Sequence, residues 1–259
     1  MALRRIIDRL YRGRTLHRHL PAEFGGGSLF VTTTGGGLRY VRHDLRKVDA
    51  ALLGFVNEFI KPGSNTWDVG ANMGLFTFTA ANRAGPKGFV LAVEADVDVL
   101  SLLFQSRAAM NTQTNARVDI LPAAVAGPGA RLLTFHIAMN ARACNSLSDQ
   151  GMGFMGGIRE TRRVPAFTLD ELLDTFPAPS LLKIDVEGAE MQVLSGASRM
   201  LSEIRPVLYL EVTPLETTQK PIAEMLRKFG YRFFCGDEPK DQRKEYELPP
   251  FNCIALPPG

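Results

Sequence analysis

The chain has 259 residues, 45% of them hydrophobic and 22% charged, which suits a folded globular protein with one large α/β domain or a domain with a small attachment. Its formal net charge of +3 gives no sign of the concentrated basic face that marks a nucleic-acid binder. The three cysteines, Cys144, Cys235 and Cys253, are far apart in sequence, which argues against a disulfide framework or a Cys-x-x-Cys metal site and makes a reducing compartment, the cytoplasm, the expectation.

In chain order, the first segment sets apolar Leu3, Ile6, Ile7, Leu10 and Tyr11 at helical spacing among Arg4, Arg5, Arg9, Arg12, Arg14 and Arg18. It lacks the uninterrupted apolar core of a secretory signal. It reads as a surface helix packing on the main domain, with a membrane-surface helix or a transit peptide as the alternatives. No run approaches the roughly 20 apolar residues that span a membrane. Gly25-Gly26-Gly27 and Gly35-Gly36-Gly37 bracket Leu29–Thr32, and that run with Leu38–Val41 reads as a hairpin. Residues 1–49 are thus expected to form a helix-and-hairpin appendage, with one domain over 50–259.

A helix is predicted over Ala50–Ile60, ending before Lys61-Pro62-Gly63. Strands and helices then alternate, the pattern of a parallel sheet made of crossover units. Strands are predicted at Thr66–Val69, Phe89–Glu94, Val118–Pro122, Leu181–Asp185, Val207–Val212, Tyr231–Phe234 and Asn252–Leu256, seven in all. Helices are predicted at about Leu75–Ala84, Val97–Met110, from Ala189, and at Pro221–Phe229, with a capped short helix at Thr168–Leu172. The stretch Asn140–Glu160 is rich in Gly and Met and reads as irregular.

The first strand runs into Asp68-Val69-Gly70-Ala71-Asn72-Met73-Gly74. Gly70 can turn sharply without a side chain. Asn72 tolerates left-handed backbone angles. Gly74 opens a helix whose free N–H groups can hold an anionic group. The second strand ends at Glu94, 94 − 70 = 24 positions after Gly70. An acid about 20 positions on is placed to accept hydrogen bonds from two ribose hydroxyls. Together these imply an adenosine-containing ligand. A dinucleotide would want Gly-x-Gly-x-x-Gly around its pyrophosphate, and the final glycine is missing here. Asp68 puts a carboxylate beside the loop, unhelpful next to a pyrophosphate and useful beside an amine. S-adenosyl-L-methionine has an amine and a sulfonium and no phosphate, so it fits better. Ala124, just after the third strand, is placed at the same edge.

Lys183-Ile184-Asp185-Val186-Glu187-Gly188-Ala189-Glu190 closes the fourth strand. The carboxyl ends of strands one and four flank the crevice of an open α/β sheet. The two motifs together resemble the FkbM family of S-adenosylmethionine-dependent methyltransferases. The resemblance runs from about Arg46 to Leu256 and includes Lys61-Pro62-Gly63, Thr168-Leu169-Asp170 and Phe229-Gly230-Tyr231. It implies a Rossmann-like α/β methyltransferase sheet of seven mostly parallel strands, the last antiparallel. It implies that Asp68, Gly70, Asn72, Gly74 and Glu94 line the cofactor site. It also implies that the acceptor is a hydroxyl, often on a sugar, a glycan or a natural product. The family often has Pro after the strand-two acid, where this chain has Ala95-Asp96.

A sugar hydroxyl is a poor nucleophile at neutral pH, so a base or a metal is expected. Asp185 and Glu187 are the candidate bases, with Asp185 also a candidate ligand for a divalent ion. The alternative is that Glu187 only organises the turn, and Glu190 is assigned to the helix start. Asn145, Ser146 and His136 are candidate substrate contacts, although His136 also reads as a partly buried structural histidine. His17 and His19 read as surface residues of a basic helix. Met152–Met155 reads as an apolar lid or as a loop on the core. Leu248-Pro249-Pro250-Phe251 is similar to the Pro-Pro-aromatic motif of enzymes that methylate amide or base nitrogens, but that motif follows strand four, so here it reads as a turn. A nicotinamide-dependent oxidoreductase or epimerase, or a cofactor-binding protein without turnover, remain the competing readings. Oligomeric state is not legible.

Overall fold

The computed structural model describes residues 14–33, 37–138 and 158–259. Asn145, Ser146, Met152–Met155 and the arginine-rich start therefore lie outside the described residues.

Strand β1 (Thr15–His19) pairs antiparallel with β2 (Ser28–Thr32), from Thr15 opposite Thr32 to His19 opposite Ser28. This corrects the expected hairpin. Its first strand is Thr15–His19, so His17 and His19 are exposed strand residues and not helical ones. Leu38–Arg42 is helix α1. A Cβ on Gly37 would lie 1.8 Å from the Thr32 carbonyl, so the chain passes close over the end of β2 where α1 begins. Helix α2 (Ala50–Phe59) follows, its start capped by the Asp49 carboxylate, which accepts from Leu52 N at 2.9 Å.

The main sheet is built from β3 (Asn65–Val69), β4 (Phe89–Glu94), β5 (Arg117–Pro122), β9 (Leu181–Ile184), β10 (Val207–Glu211), β11 (Arg232–Cys235), β12 (Glu245–Tyr246) and β13 (Asn252–Leu256), within one residue or so of the predicted bounds. Their order is β12-β11-β13-β10-β9-β3-β4-β5. The short edge strand β12 makes eight strands where seven were expected. Strand β13 is antiparallel to both β10 and β11, as expected. Strand β3 pairs parallel with β4 on one side and β9 on the other. The winding reverses there, so a crevice opens at the carboxyl ends of β3 and β9.

Helices α3 (Leu75–Ala84) and α4 (Val97–Ala108) join α2 on one face, where Phe55, Phe76, Leu103 and Tyr209 form the core. Leu20, Phe24, Leu29, Val31, Tyr40 and Leu45 from the N-terminal segment belong to that same core. On the other face α6 (Glu190–Ser195) and α7 (Glu216–Lys228) cover Trp67, Leu182, Leu208 and Phe233. Helix α7 starts five residues before the predicted Pro221, with Thr218 and Gln219 donating to the Leu215 carbonyl and Pro221 inside the helix.

A second sheet was not foreseen. Strands β6 (Ala124–Val125), β7 (Leu132–Ala138) and β8 (Ile158–Phe167) pair in the order β6-β8-β7, so Ile158–Glu160 of the supposedly irregular stretch is strand. Phe135, Ile137, Val164 and Ala166 bury its inner face. Between β8 and β9, Thr168 and Glu171 make the expected capping box of α5 (Leu169–Leu172).

Candidate functional site

The site is built on the loop between β3 and α3. Gly70 has φ +79°, and a Cβ there would sit 1.9 Å from the Asp185 carbonyl oxygen. No other residue allows the two strand ends to approach so closely. Gly70 N and Ala71 N both donate to the Val93 carbonyl, at 3.0 and 3.1 Å, which ties the loop to the end of β4. Asn72 takes the left-handed conformation at φ +49°, and Gly74 does so at φ +87°. A Cβ on Gly74 would lie 2.5 Å from the Phe78 ring and 2.8 Å from Leu103, so the loop packs tightly against α3 and α4 there.

Glu94 ends β4 and is 9% exposed. Its Oε2 accepts from Asn72 N and its Oε1 from Asp96 N, each at 2.7 Å. Each carboxylate oxygen can accept a second hydrogen bond. Burial pushes the Glu94 carboxyl up to about 7, against the pull of those two N–H groups. A ligand offering hydroxyl donors would favour its charged form.

Asp68 is corrected. It was expected to face the cofactor, but it has no exposed surface. Its Oδ1 accepts from Lys183 Nζ at 3.0 Å and its Oδ2 from the Thr77 hydroxyl. Lys183 also donates to the Gly70 carbonyl at 2.9 Å and lies 3.6 Å from Asp185 Oδ2. Burial opposes the Lys183 charge, but Asp68 and Asp185 outweigh it and hold its proton affinity above the usual value. Asp68 is therefore a buried strut, and Lys183 is the residue that joins the two motifs. A lysine on a buried strand, two positions before an aspartate, was the available signal.

Asp185 follows β9, donates its N–H to the Val69 carbonyl at 3.1 Å and leaves its side chain partly exposed. Glu187 has φ +53° and is exposed. Its dense surroundings, then Asp185, Glu211 and Glu190, push its carboxyl up, while Arg39 pulls it down. Glu211 ends β10, and burial followed by Asp185 raises it to about 7, while Lys183 and Arg39 pull it down. Glu190 is 2% exposed and accepts from Gly188 N through Oε1, while its buried Oε2 has no hydrogen-bond partner among the described residues. Glu190 thus holds the turn as expected. The acids at this edge interact with one another and with Asp49, from the start of α2.

Ala124 is buried, next to Ala123, whose N–H donates to the Glu94 carbonyl at 3.1 Å. His136 lies on the second sheet, 7% exposed, with Nδ1 3.2 Å from Thr161 Oγ1. That sheet is joined to the cofactor edge by Arg162, which reaches Asp96 at 3.5 Å and Asp98 at 3.3 Å. No group of three or more His, Cys, Asp or Glu among the described residues is placed to hold a metal ion, so the idea of Asp185 as a metal ligand gains no partner residues. No helix among the described residues is long and apolar enough to cross a membrane.

A family model described as the methyltransferase FkbM domain matches residues 68–233. The chain belongs to the FkbM methyltransferase family. Among solved structures, the FkbM methyltransferase of Methylobacillus flagellatus KT is 16% identical with a TM-score of 0.46, over 85% of this chain and 57% of that one. A SAM-dependent methyltransferase of Aquifex aeolicus is 10% identical with a TM-score of 0.45, over 86% and 97%. Aeropyrum pernix fibrillarin, crystallised with natively bound S-adenosyl-L-methionine, is 14% identical with a TM-score of 0.42, over 89% and 90%. This chain therefore spans a little over half the length of the Methylobacillus protein. No curated protein matches it.

The ligand expected from the sequence is S-adenosyl-L-methionine. The residues present fit that group. The loop approaches without side chains at Gly70, Glu94 offers spare acceptor positions, and the carboxylates of Asp185, Glu187 and Glu211 suit a ligand with an ammonium and a sulfonium. The same carboxylates would repel a pyrophosphate. The dinucleotide oxidoreductase reading ends here.

Proposed function

We propose that this FkbM-family methyltransferase O-methylates a hydroxyl on a sugar, glycan or natural-product acceptor, with Gly70, Ala71, Asn72, Gly74, Glu94 and Ala124 around the cofactor. When bound, S-adenosylmethionine supplies an electrophilic methyl group. The observation that carries the reading is the set of carboxylates at the ends of β9 and β10. Glu211 is raised to about 7, and Glu187 is raised by its dense surroundings and then by its acidic neighbours, so these two carboxyls exchange protons near neutral pH. A hydroxyl oxygen that attacks the methyl carbon must lose its proton, and Asp185 or Glu187 takes it. Lys183 keeps Asp185 beside the glycine loop, which aligns base and cofactor edge. The surplus of carboxylates over the exposed Arg39 supports an acceptor that is neutral or cationic and disfavours a phosphorylated one.

The test is to incubate the protein with labelled cofactor and pools of neutral glycans, phosphorylated sugars and polyketide-type extracts, followed by mass spectrometry. Label in an acid-stable methyl ether on a neutral glycan or natural product supports the reading. Label confined to amines or carbons, or no transfer at all with tight cofactor binding, overturns it.

A further inference from the structure

The residues matched by the family model begin at Asp68, so the N-terminal hairpin and α1 lie outside them. Yet α1 is packed directly on the cofactor loop. Gly37, where α1 begins, is so close to Met73 that a Cβ on it would lie 2.4 Å from the Met73 methyl. Met73 belongs to the Gly70–Gly74 loop and is 1% exposed, so it cannot move aside into solvent.

Besides Tyr40 in the core, one arginine ties α1 to β1. Arg18, on β1, donates from Nη1 to the Tyr40 carbonyl and, at 2.7 Å, to the Val41 carbonyl; its Nη2 donates to the His43 carbonyl at 2.9 Å. A helix of five residues leaves its last carbonyls without partners of its own. A guanidinium with its donors in a rigid fork satisfies them and complements the negative helix end. Strand β1 is itself anchored on the main domain. Its partner β2 bonds α4 through Phe30 N to Ser106 Oγ at 2.9 Å, and the turn between them packs Gly25 on Asn82 of α3. A rigid path thus runs from α4 through β2, β1 and Arg18 to α1, and from Gly37 through Met73 to Gly70–Gly74.

We propose that Arg18 is a positioning residue of the cofactor site, acting through α1 and the Gly37–Met73 contact to hold the glycine loop in its binding conformation. Cofactor and N-terminal segment are then coupled, and the coupling is reciprocal. The proposal rests only on S-adenosylmethionine as donor and not on the nature of the acceptor.

Two measurements with S-adenosylhomocysteine as probe test it. In the unaltered protein, hydrogen exchange is followed with and without the probe. The amides of Tyr40 and His43, bonded to the Gly37 and Arg39 carbonyls, should slow on binding together with those of residues 70–74. In calorimetry, Arg18→Met should weaken binding on the order of tenfold, Arg18→Lys should recover only part of it because one ammonium cannot span all three carbonyls, and Arg46→Met should leave it unchanged. Arg46 pairs with Glu23 in the same segment but does not touch α1's carbonyls, so it reports generic loosening. Protection gained only at 70–74, or a folded Arg18→Met protein that binds the probe as tightly as the unaltered one, overturns the proposal. If Arg18→Met fails to fold, the exchange measurement decides alone.

Discussion

Gly70→Ala is the substitution whose cost the structure sets most directly. The new Cβ would lie 1.9 Å from the Asp185 carbonyl oxygen and 2.9 Å from its carbon, whereas Cβ atoms essentially never approach closer than 3.0 Å, so the strand ends must part by at least 3.0 − 1.9 = 1.1 Å. Both partners are backbone, so no rotamer change relieves the clash. The opening strains the Asp185 N to Val69 O and Lys183 Nζ to Gly70 O bonds, at 3.1 and 2.9 Å. A positive φ adds about 1–2 kcal/mol for any residue with a Cβ. A displacement of about 1 Å at a reacting site can cost roughly a hundredfold, or about 2.7 kcal/mol at about 1.36 kcal/mol per decade. Gly188→Ala is the control, since Gly188 has φ +96° but nothing within 4 Å of its would-be Cβ. Calorimetric titration with S-adenosylhomocysteine and a thermal melt separate the two costs. Gly188→Ala should show only a modest loss of stability with affinity kept. Gly70→Ala should lose affinity by one to two orders of magnitude. Equal affinities in the two variants would refute the reasoning, because they would mean that the approach of Gly70 to Asp185 has no part in the site.

Other expectations follow from the same geometry. Glu94 is raised from 4.5 to about 7, so its contribution to the stability of the ligand-free protein is present below about pH 4.5 and lost as pH rises through 7. S-adenosylhomocysteine binding should run the other way, weakening towards tenfold per unit below pH 7, because ribose hydroxyls donate to the carboxylate; Glu94→Gln should remove both dependences in pH-dependent melts and titrations. Lys183→Met leaves Asp68 charged with no exposed surface, and should cost about 3–5 kcal/mol in denaturant unfolding, whereas Lys183→Met with Asp68→Asn should recover part of it. Asp185→Asn and Glu187→Gln should lower turnover at saturating cofactor by about 10²–10⁴ for the residue that is the base, on top of any weaker cofactor binding; full turnover in the double variant would remove the base from the carboxylate set. Thr168→Ala deletes one half of the capping box and should cost about 1 kcal/mol of stability without touching cofactor affinity.

The glycine loop and the capping box were legible because their chemistry is local. Positive φ at Gly70, Asn72 and Gly74 follows from which residues tolerate it, and Thr168 bonds a residue three positions away. The alternation of strands and helices likewise revealed the parallel sheet and its crevice. What the chain alone could not show are pairings across long stretches of sequence. Asp68 and Lys183 are 115 residues apart, and only the adjacency of β3 and β9 turns an expected cofactor contact into a buried ion pair. Glu94 bonds Asn72 because β3 and β4 end side by side. The second sheet joins segments on either side of residues 139–157, and its inner face of Phe135, Ile137, Val164 and Ala166 forms only when β7 and β8 pair. Likewise, Gly35-Gly36-Gly37 reads as a hairpin turn into a strand, whereas Gly37 lies close to the Thr32 carbonyl and helix α1 follows it. Residue chemistry over a few positions determined the cofactor loop and the family. Tertiary contact decided which charges are spent inside the fold and which remain at the open edge, because a carboxylate's role depends on the partner that reaches it first.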